Sequence, residues 1–405
     1  MTLELLYKTN ITEQDLLDLI GTTSEGQYID FKKDSYDSRN PKWQQSLCED
    51  VISFANADGG IIVCGMDEKN GYASDLCGLG QINPDSEIRR LKQTISSNID
   101  PIVNVDIPDI KLSDSQKGFA LVIRVPRSVY QPHRLEIKNE PKIFKIRRSN
   151  GNEDMTVEEL RRAFNLSATF IHEANQIREE RIANIYKKTP YPVNEGFKVA
   201  LHVIPFSALG LAQRIDLSDL GQKAKTPQWA KSLGFYEGKH NQHGFASEIN
   251  LPYEPLYGYT HIFRTGIIET VFYFDGGNEH KLMGLHRVEA KILHFIEEAT
   301  TIFKNLHINP PFIVMVSLLD LKGYEVHPLY DLGHNHNPAF LRLKGHLYTF
   351  EDNQILLDDI VMERFPDNYG VALRSLFDEL YNVAGHNRSP NYDNDGNWKD
   401  PKNSR

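Results

Sequence analysis

The chain has 405 residues, 40% of them hydrophobic and 25% charged, with a formal net charge of −10. This composition is typical of a globular protein, and the length predicts two or three domains. The net charge weighs against a protein that binds nucleic acid over its whole surface. An apolar run of about eighteen residues would indicate a membrane span, and none occurs. Three cysteines without a C-x-x-C pair argue against a zinc finger, and residues 1–12 do not resemble a secretory signal, so we expect a cytoplasmic protein.

The first half of the chain alternates between helical and strand patterns. Thr12, with Asp15 three residues later, predicts the capped start of a short helix. Alternating residues predict a strand over 27–32, with Ile29 and Phe31 facing the core. The later elements predicted for this half are a helix over 43–57, a strand over 61–66, a turn at Asn70-Gly71, a helix over 86–98, and strands near 102–110, 119–125 and 142–146. This order predicts an α/β (α+β) domain with a mixed sheet and flanking helices.

A long helical pattern over 156–188 ends at two prolines, Pro190 and Pro192. The second half predicts another α/β domain, with strands at 197–206, within 259–274 and at 312–319, and helices at 285–306 and 371–383. We therefore predict four regions: a domain at 1–165, a helical linker at 166–192, a C-terminal domain at 193–385 and a disordered polar tail at 386–405.

Three acids and one lysine are the candidate catalytic residues. Asp30 and Lys32 share one face of the predicted strand, and Glu25 precedes that strand in a turn. Asp58 follows the end of a helix, where the macrodipole disfavours an anion by about 0.3–1 kcal/mol, so it needs a local partner. If the four converge, three carboxylates would bind Mg²⁺ or Mn²⁺, and the lysine would assist phosphodiester hydrolysis. Alternatively, Asp30 and Lys32 form a surface ion pair and residues 56–60 only a turn.

Basic residues of the same domain are candidates for phosphate contact. They are Lys33, Arg134, Lys142, Lys145, Arg147 and Arg148, with Lys32 beside them. Lys145 and Arg147 alternate on a predicted strand and share a face. Tyr28 is placed to stack on an unpaired base. The alternative for the two alternating cations is a sheet edge protected by charge.

Several spaced motifs occur in a distinctive order: Glu25-x4-Asp30-Phe31-Lys32, then the segment 54–60 (FANADGG), then an apolar strand ending at Gly65. Later pieces are Pro132-His133, the segment 144–148 (FKIRR) and the segment 155–160 (MTVEEL). Together they resemble the Schlafen AlbA-like domain over about the first 165 residues. The resemblance implies a nucleic-acid-binding fold.

In Schlafen ribonucleases an acidic triad cleaves transfer and ribosomal RNA with a divalent metal, and the resemblance places that triad on Glu25, Asp30 and Asp58. The second acid is more often Glu in that family, so Asp30 is one methylene shorter. The animal enzymes have two such lobes, whereas one occurs here, which favours a homodimer. Some bacterial relatives are labelled ATP-binding, but no G-x-x-x-x-G-K-[ST] loop occurs, so we expect no ATP site.

Two main hypotheses follow. The first is a metal-dependent endoribonuclease that acts as a dimer on structured RNA such as tRNA, with a role in stress or phage defence. The second is a non-catalytic DNA- or RNA-binding transcriptional regulator whose C-terminal domain is a sensor or an oligomerisation domain. An interaction module without nucleic acid is a third.

Two groups in the second half are weaker candidates. His327, His334, His336 and His346 could ligate a metal, although incidental loop histidines are the simpler interpretation. Arg264, Glu269 and His261 could form a small site.

Overall fold

The computed structural model of the protein describes residues 2–8, 10–37, 39–209, 214–220, 238–249, 258–274, 281–327 and 348–399. The chain divides into two compact units, Met1–Ile171 and His172–Arg405, and the boundary falls within one long helix. Among the helices of these ranges, none has both the length and the apolar content that a membrane span needs.

The N-terminal unit contains a mixed sheet, as the sequence predicts. Its elements in chain order are α1 (Thr2–Tyr7), α2 (Glu13–Leu17), β1 (Ile29–Lys32), α3 (Trp43–Ala55), β2 (Gly60–Cys64), β3 (Met66–Lys69), β4 (Tyr72–Leu76), α4 (Pro84–Asn98), β5 (Ile99–Asp100), β6 (Asp109–Lys111), β7 (Phe119–Val125), β8 (Arg134–Leu135), β9 (Lys145–Arg148), β10 (Gly151–Asp154) and α5 (Val157–Tyr186). The main sheet has the order β1-β2-β7-β6; β1 and β2 are parallel and the other pairs antiparallel. Strand β1 is therefore an edge strand.

Both faces of this sheet are covered by helices. On one face, Ile62 of β2 packs with Leu47 and Val51 of α3 and with Leu91 of α4. The opposite face carries Ile29, Phe31, Ile61 and Val63, which pack with Leu5, Leu16 and Leu19. The alternation predicted for β1 is thus confirmed, and Asp30 lies on the face that α3 covers. Thr12 and Asp15 form the predicted capping box of α2.

A glycine lies at each end of strand β2: Gly59 in the turn before it and Gly65 directly after it. The predicted strand over 61–66 is split at Gly65, whose φ is +92° and whose Cβ, if present, would lie 3.0 Å from Gly78. At the other end, a Cβ on Gly59 would lie 2.7 Å from the backbone nitrogen of Arg127, and the φ of Gly59 is +79°. Only glycine meets both conditions at Gly59, so the turn that carries Asp58 is held tightly against the chain after β7.

The C-terminal unit also has an α+β architecture. After the second half of α5, its elements are β11 (Lys198–Pro205), a 3-10 turn (Phe206–Ala208), β12 (Lys239–His240), β13 (Gly244–Ile249), β14 (Gly258–Phe263), β15 (Ile268–Tyr273), β16 (Leu282–Gly284), α6 (Leu285–Asn305), β17 (Phe312–Leu319), β18 (Glu325–His327), β19 (Tyr348–Thr349), β20 (Gln354–Leu356), β21 (Ile360–Met362), α7 (Tyr369–Ala372) and α8 (Arg374–Asn382). The large antiparallel sheet has the order β12-β13-β14-β15-β11-β17-β20, with β21 also on β17.

Helices cover this sheet on both faces as well. Residues of α6 and α8, such as Ile292 and Phe377, pack with Val199 and Val314 in the larger core. The end of α5 packs on the other face, where Ile182 lies in a smaller core. A three-stranded sheet of β16, β18 and β19 adds to the unit.

The polar segment 386–399 is packed against the C-terminal unit, so the predicted disorder is wrong for these residues. The carboxylate of Glu289, buried in α6, accepts hydrogen bonds from Ser389 Oγ at 2.8 Å and from Trp398 Nε1 at 2.9 Å, and another from the Asn391 amide. The polar composition of the segment indicated disorder. Composition does not show that the buried carboxylate of Glu289 needs hydrogen-bond donors, and this segment supplies them. Residues 400–405 lie outside the described residues.

Candidate functional site

The motif over residues 54–60 positions the site through Asn56. The Nδ2 of Asn56 donates to the carbonyl oxygens of His133 and Lys145, both at 2.8 Å, and its Oδ1 accepts from the His133 N–H at 2.7 Å. These bonds fix the 133 loop and the first residue of β9 against the end of α3. The asparagine is therefore structural, and it brings the hairpin β9–β10 to the edge strand β1.

Arg147 of β9 is the centre of a buried network beside β1. Its guanidinium donates to Asp30 Oδ1 at 2.8 Å, to the carbonyl of Gly26 at 2.9 Å and to the carbonyl of Ile29 at 3.3 Å. It also lies over the Phe54 ring, 4.7 Å from the ring centroid. Its side chain is 4% exposed. Arg147 therefore satisfies the Ile29 carbonyl of β1 and the Gly26 carbonyl in the turn before it, and it compensates the charge of Asp30.

Asp50 of α3 is a second buried carboxylate in this network. It accepts from Tyr36 OH and from Asn152 Nδ2, both at 2.6 Å, and Lys32 Nζ lies 3.7 Å from its Oδ2. Burial raises the pKa of Asp50, and the ammonium of Lys32 opposes that shift. No sequence motif predicts a role for Asp50, because it is a lone acid within an apolar helical stripe.

The network closes into a ring of charges. Lys32 Nζ also pairs with Asp30, and Asn152 Oδ1 accepts from Arg147 Nη1 at 3.0 Å. Two carboxylates, Asp30 and Asp50, thus face two cations, Lys32 and Arg147, and their formal charges cancel. Removing one partner of such a buried pair typically costs about 3–5 kcal/mol of stability, because the other charge is left without compensation.

Glu25 lies at the solvent side of this ring. Its Oε1 accepts from the Phe31 N–H at 2.9 Å, which satisfies a donor on the free edge of β1. Burial raises the pKa of Glu25, and the neighbouring charges of Asp30 and Glu68 act in the same direction. For Lys32, burial acts to lower the pKa, but the surrounding carboxylates outweigh it and the pKa is raised. Glu68 on β3, which is not among the residues predicted from the sequence, thus belongs to the acidic neighbourhood of Glu25.

Asp58 has a different set of partners. Its carboxylate accepts from Gln27 Nε2 at 3.0 Å and from Arg127 Nη1 at 3.1 Å. Tyr28 lies near enough that the Asp58 carboxylate, after burial, raises the pKa of its phenol. The cation of Arg127 is the kind of partner that the helix dipole argument requires for an acid in this place.

The residues present do not fit a divalent metal shared by Glu25, Asp30 and Asp58. Among the described residues, no group of three or more Asp, Glu, His or Cys side chains is arranged to hold a metal ion. Asp30 is already paired with two cations, and Asp58 with a third, Arg127. A hard divalent ion needs several free oxygen ligands, which these acids do not offer in this arrangement.

The predicted phosphate-contact residues are all paired with carboxylates. The pairs are Lys33 with Asp67, Arg134 with Asp100 and Glu136, Lys142 with Glu136, Lys145 with Asp154, and Arg148 with Glu153 and Glu159. Exposed ion pairs of this kind contribute only about 0–1 kcal/mol, so a phosphate can replace the acid. Arg147 differs because it is buried, so the prediction that it shares a phosphate-binding face with Lys145 does not match its position.

The small site suggested in the C-terminal unit is in part a buried network. Glu269 is fully buried and accepts from Arg181 Nε and Nη2, both at 2.8 Å, from His202 Nε2 at 2.9 Å and from Tyr259 OH at 2.8 Å. His261 lies beside it, and burial lowers the pKa of His261 to about 4. These contacts fasten α5 to the sheet.

The other histidines proposed as ligands in that unit are only partly described. His327 ends β18, and His334, His336 and His346 lie outside the described residues.

Comparison with known proteins identifies the N-terminal unit. Residues 25–156 match the family described as Schlafen, AlbA_2. No curated protein matches the chain. Among solved structures, the chain is similar to the DIP2311 protein from Corynebacterium diphtheriae, with 19% identity and a TM-score of 0.25 over 35% of this chain and 25% of that one. It is also similar to the N-terminal domain of a RecG-related protein from Nitrosomonas europaea, with 24% identity and a TM-score of 0.27 over 36% of this chain and 95% of that one.

The matched residues include the main sheet, the turn at Gly59 and the hairpin β9–β10, so the resemblance predicted from the motifs is confirmed. The N-terminal unit contains a Schlafen AlbA-like domain, a class of domain that indicates nucleic-acid binding.

Proposed function

We propose that the N-terminal unit binds RNA or DNA without cleaving it and that the chain acts as a regulator. In this proposal the C-terminal unit serves as a sensor or an assembly domain. The observation that carries it is the pairing of Asp30 with Lys32 and Arg147. This pairing supports a structural role for the acid, and the family match supports nucleic acid as the partner.

Binding should be weak and steeply dependent on salt. The exposed cations of the set predicted from the sequence, such as Lys33 with 62% of its side chain exposed, must exchange a carboxylate for a phosphate. Each phosphate contact releases counterions, so the logarithm of the binding constant falls with the logarithm of salt by about 0.7–0.9 per contact. The net charge of −10 adds repulsion.

A metal-dependent endoribonuclease acting on structured RNA such as tRNA, with Mg²⁺ or Mn²⁺, is the second candidate. The observation that favours it is the charge environment of Glu25, where burial and then the carboxylates of Asp30 and Glu68 raise the pKa, although these acids do not form a metal-ligand group among the described residues. A raised pKa for Glu25 is what a general base or acid would need. The sequence predicts Glu25, Asp30 and Asp58 as the catalytic acids, whereas in this candidate Glu68 takes the place of Asp58.

Binding and cleavage of labelled transfer RNA and duplex DNA distinguish the two candidates. We would compare the wild type with the double variant Glu25→Gln, Glu68→Gln, in Mn²⁺, in Mg²⁺ and in EDTA. Asp58→Asn is the control, because it also removes an acid of the domain, but Asp58 contacts Gln27 and Arg127 and not Glu25 or Glu68. The proposal expects a shifted band and intact RNA in every lane. Fragments that need metal, persist in Asp58→Asn and vanish in the double variant would replace it with the nuclease.

If neither probe shifts in low salt, the nucleic-acid proposal itself falls, and an interaction module without nucleic acid takes its place. Homodimerisation stays part of the proposal, since one lobe offers a small surface; light scattering of the purified chain tests it. A role in phage defence belongs to the nuclease candidate, and phage plating on cells that express the wild type or the double variant tests that role.

A further inference from the structure

Helix α4 of the N-terminal unit forms one wall of an open groove of about 720 Å³. Asp85 lines it near the start of the helix, and four further exposed residues of α4 line it: Arg89, Lys92, Gln93 and Ser96. Their spacing of three, one and three residues puts them on a single helical stripe. At about 1.5 Å rise per residue the stripe is about 10 Å long. Every one of these side chains has hydrogen-bond donors, and two of them are cations.

The cations of this stripe differ from the basic residues that the sequence pattern singled out. Arg89 and Lys92 form no ion pair with any described residue, whereas Lys145 and Arg148 are each paired with a carboxylate. A phosphate at α4 therefore has no acid to displace. The third arginine or lysine of this helix, Arg90, is directed away, because it binds Glu87 and lies 4.2 Å over the Trp43 ring.

The opposite wall is the segment 102–105, with Ile102 59% exposed. The exposed residues of this wall are Ile102 and Asn104, with Val105 half-buried beside them, so a sugar or the face of a base can contact the aliphatic part of the wall. Asp85 lies at one end of the groove and repels phosphate there, which places the contact from Arg89 toward Ser96.

We propose that this groove is where a nucleic-acid strand lies, with its phosphates along Arg89, Lys92, Gln93 and Ser96. The strand rises about 3.4 Å per phosphate along the axis of a duplex, so a stripe of this length contacts about three phosphates. An acidic protein segment is the other class of ligand with matching charge. Nucleic acid is favoured because the groove belongs to residues 25–156, the part of the chain that matches a nucleic-acid-binding family. The proposal rests on the proposed function and adds the contact surface to it.

Charge reversal on α4 tests the proposal. The variant Arg89→Glu, Lys92→Glu is titrated into labelled transfer RNA and labelled duplex DNA over a series of salt concentrations. The matched control is Lys69→Glu, Lys111→Glu, which makes the same change in net charge at exposed lysines on β3 and β6 that form no ion pair with described residues. We expect the α4 variant to bind at least about tenfold more weakly than the control and to lose about 2 from the magnitude of the logarithmic salt slope.

Three results would overturn the inference. Wild-type binding with an unchanged α4 variant would leave the proposed function intact and show that the groove is not the contact surface for nucleic acid. Equal losses in the α4 variant and the control would mean that only net charge matters. No binding by the wild type would remove the proposed function and this inference together. Circular dichroism of both variants checks that the fold is kept.

Discussion

The two units each bury a carboxylate beside an arginine, but only one of these networks reaches solvent. Glu269 in the C-terminal unit is sealed by Arg181, His202 and Tyr259 and is itself fully buried. In the N-terminal unit the ring around Asp30 is open on one side, where a third of the Lys32 side chain is exposed. A sealed network can only hold the fold together, whereas an open one also presents charge to a ligand.

The largest effect is expected from Glu269→Ala, because it leaves Arg181 and two further donors buried without a partner. Breaking a buried pair in this way costs about 3–5 kcal/mol. Urea unfolding followed by tyrosine and tryptophan fluorescence measures the loss. The double variant Glu269→Ala, Arg181→Met should be less destabilised than the sum of the two single variants. If the single variant is as stable as the wild type, the sealed network does not fasten α5.

Arg147→Met sharpens the comparison in the N-terminal unit. It removes the buried guanidinium from Asp30, which keeps only Lys32 as a cationic partner, and from the Gly26 carbonyl, so we expect a loss of about 3 kcal/mol. Its neighbour Arg148 makes only exposed pairs, and Arg148→Met should cost less than about 1 kcal/mol. Thermal unfolding of the two variants measures these losses of stability. Equal losses would contradict the structural role of Arg147.

The sealed network should also make stability depend on pH. Burial lowers the pKa of His261 to about 4, from an ordinary value of 6.5. Between these values the unfolded chain binds a proton that the folded chain does not, so stability is complete above about pH 6.5 and falls as the pH drops toward about 4. The shift corresponds to about 3 kcal/mol over that window.

Unfolding midpoints of the wild type and His261→Gln from pH 7 to pH 4 measure the effect. The variant should lose most of the slope between pH 6.5 and pH 4; parallel curves would show that another group sets it. Glu269 contributes separately at lower pH, because its depressed pKa makes its stabilisation disappear as the pH falls below the ordinary value of about 4.3 for a glutamate.

The smallest effect is expected from Asp58→Asn. The pair of Asp58 with Arg127 is half-exposed, and such pairs are worth about 0–1 kcal/mol. Chemical denaturation should therefore give a midpoint close to that of the wild type. A loss as large as that of Arg147→Met would mean that Asp58 belongs to the buried ring, against its observed contacts.

Periodicity predicted most elements, because burial of one side of a helix or strand produces a periodic pattern of apolar residues in the local sequence. Ile29 and Phe31 face the core as their alternation indicated, and the strand at Phe312–Leu319 has the predicted bounds. The tail and the split at Gly65 were missed because their causes lie far away in the chain, at Glu289 and at Gly78.

The candidate site was predictable only in part. Glu25, Asp30 and Lys32 are close in sequence and remain neighbours in the fold. Asp50 and Arg147 join them across gaps of about twenty and about one hundred residues, and no local pattern records such a contact. The groove at α4 is similar, since it needs the segment 102–105 as its second wall.

The sequence by itself determined the class of the N-terminal domain, its mixed sheet and the residues on each face, because these depend on periodicity, glycine turns and spaced motifs. Only the tertiary structure decided which charges are neutralised. Arg147 is buried against Asp30, while Arg89 and Lys92 have no ionic partner among the described residues. The physical reason is that the state of a charge depends on the groups within a few ångströms of it, and those groups come from distant parts of the chain.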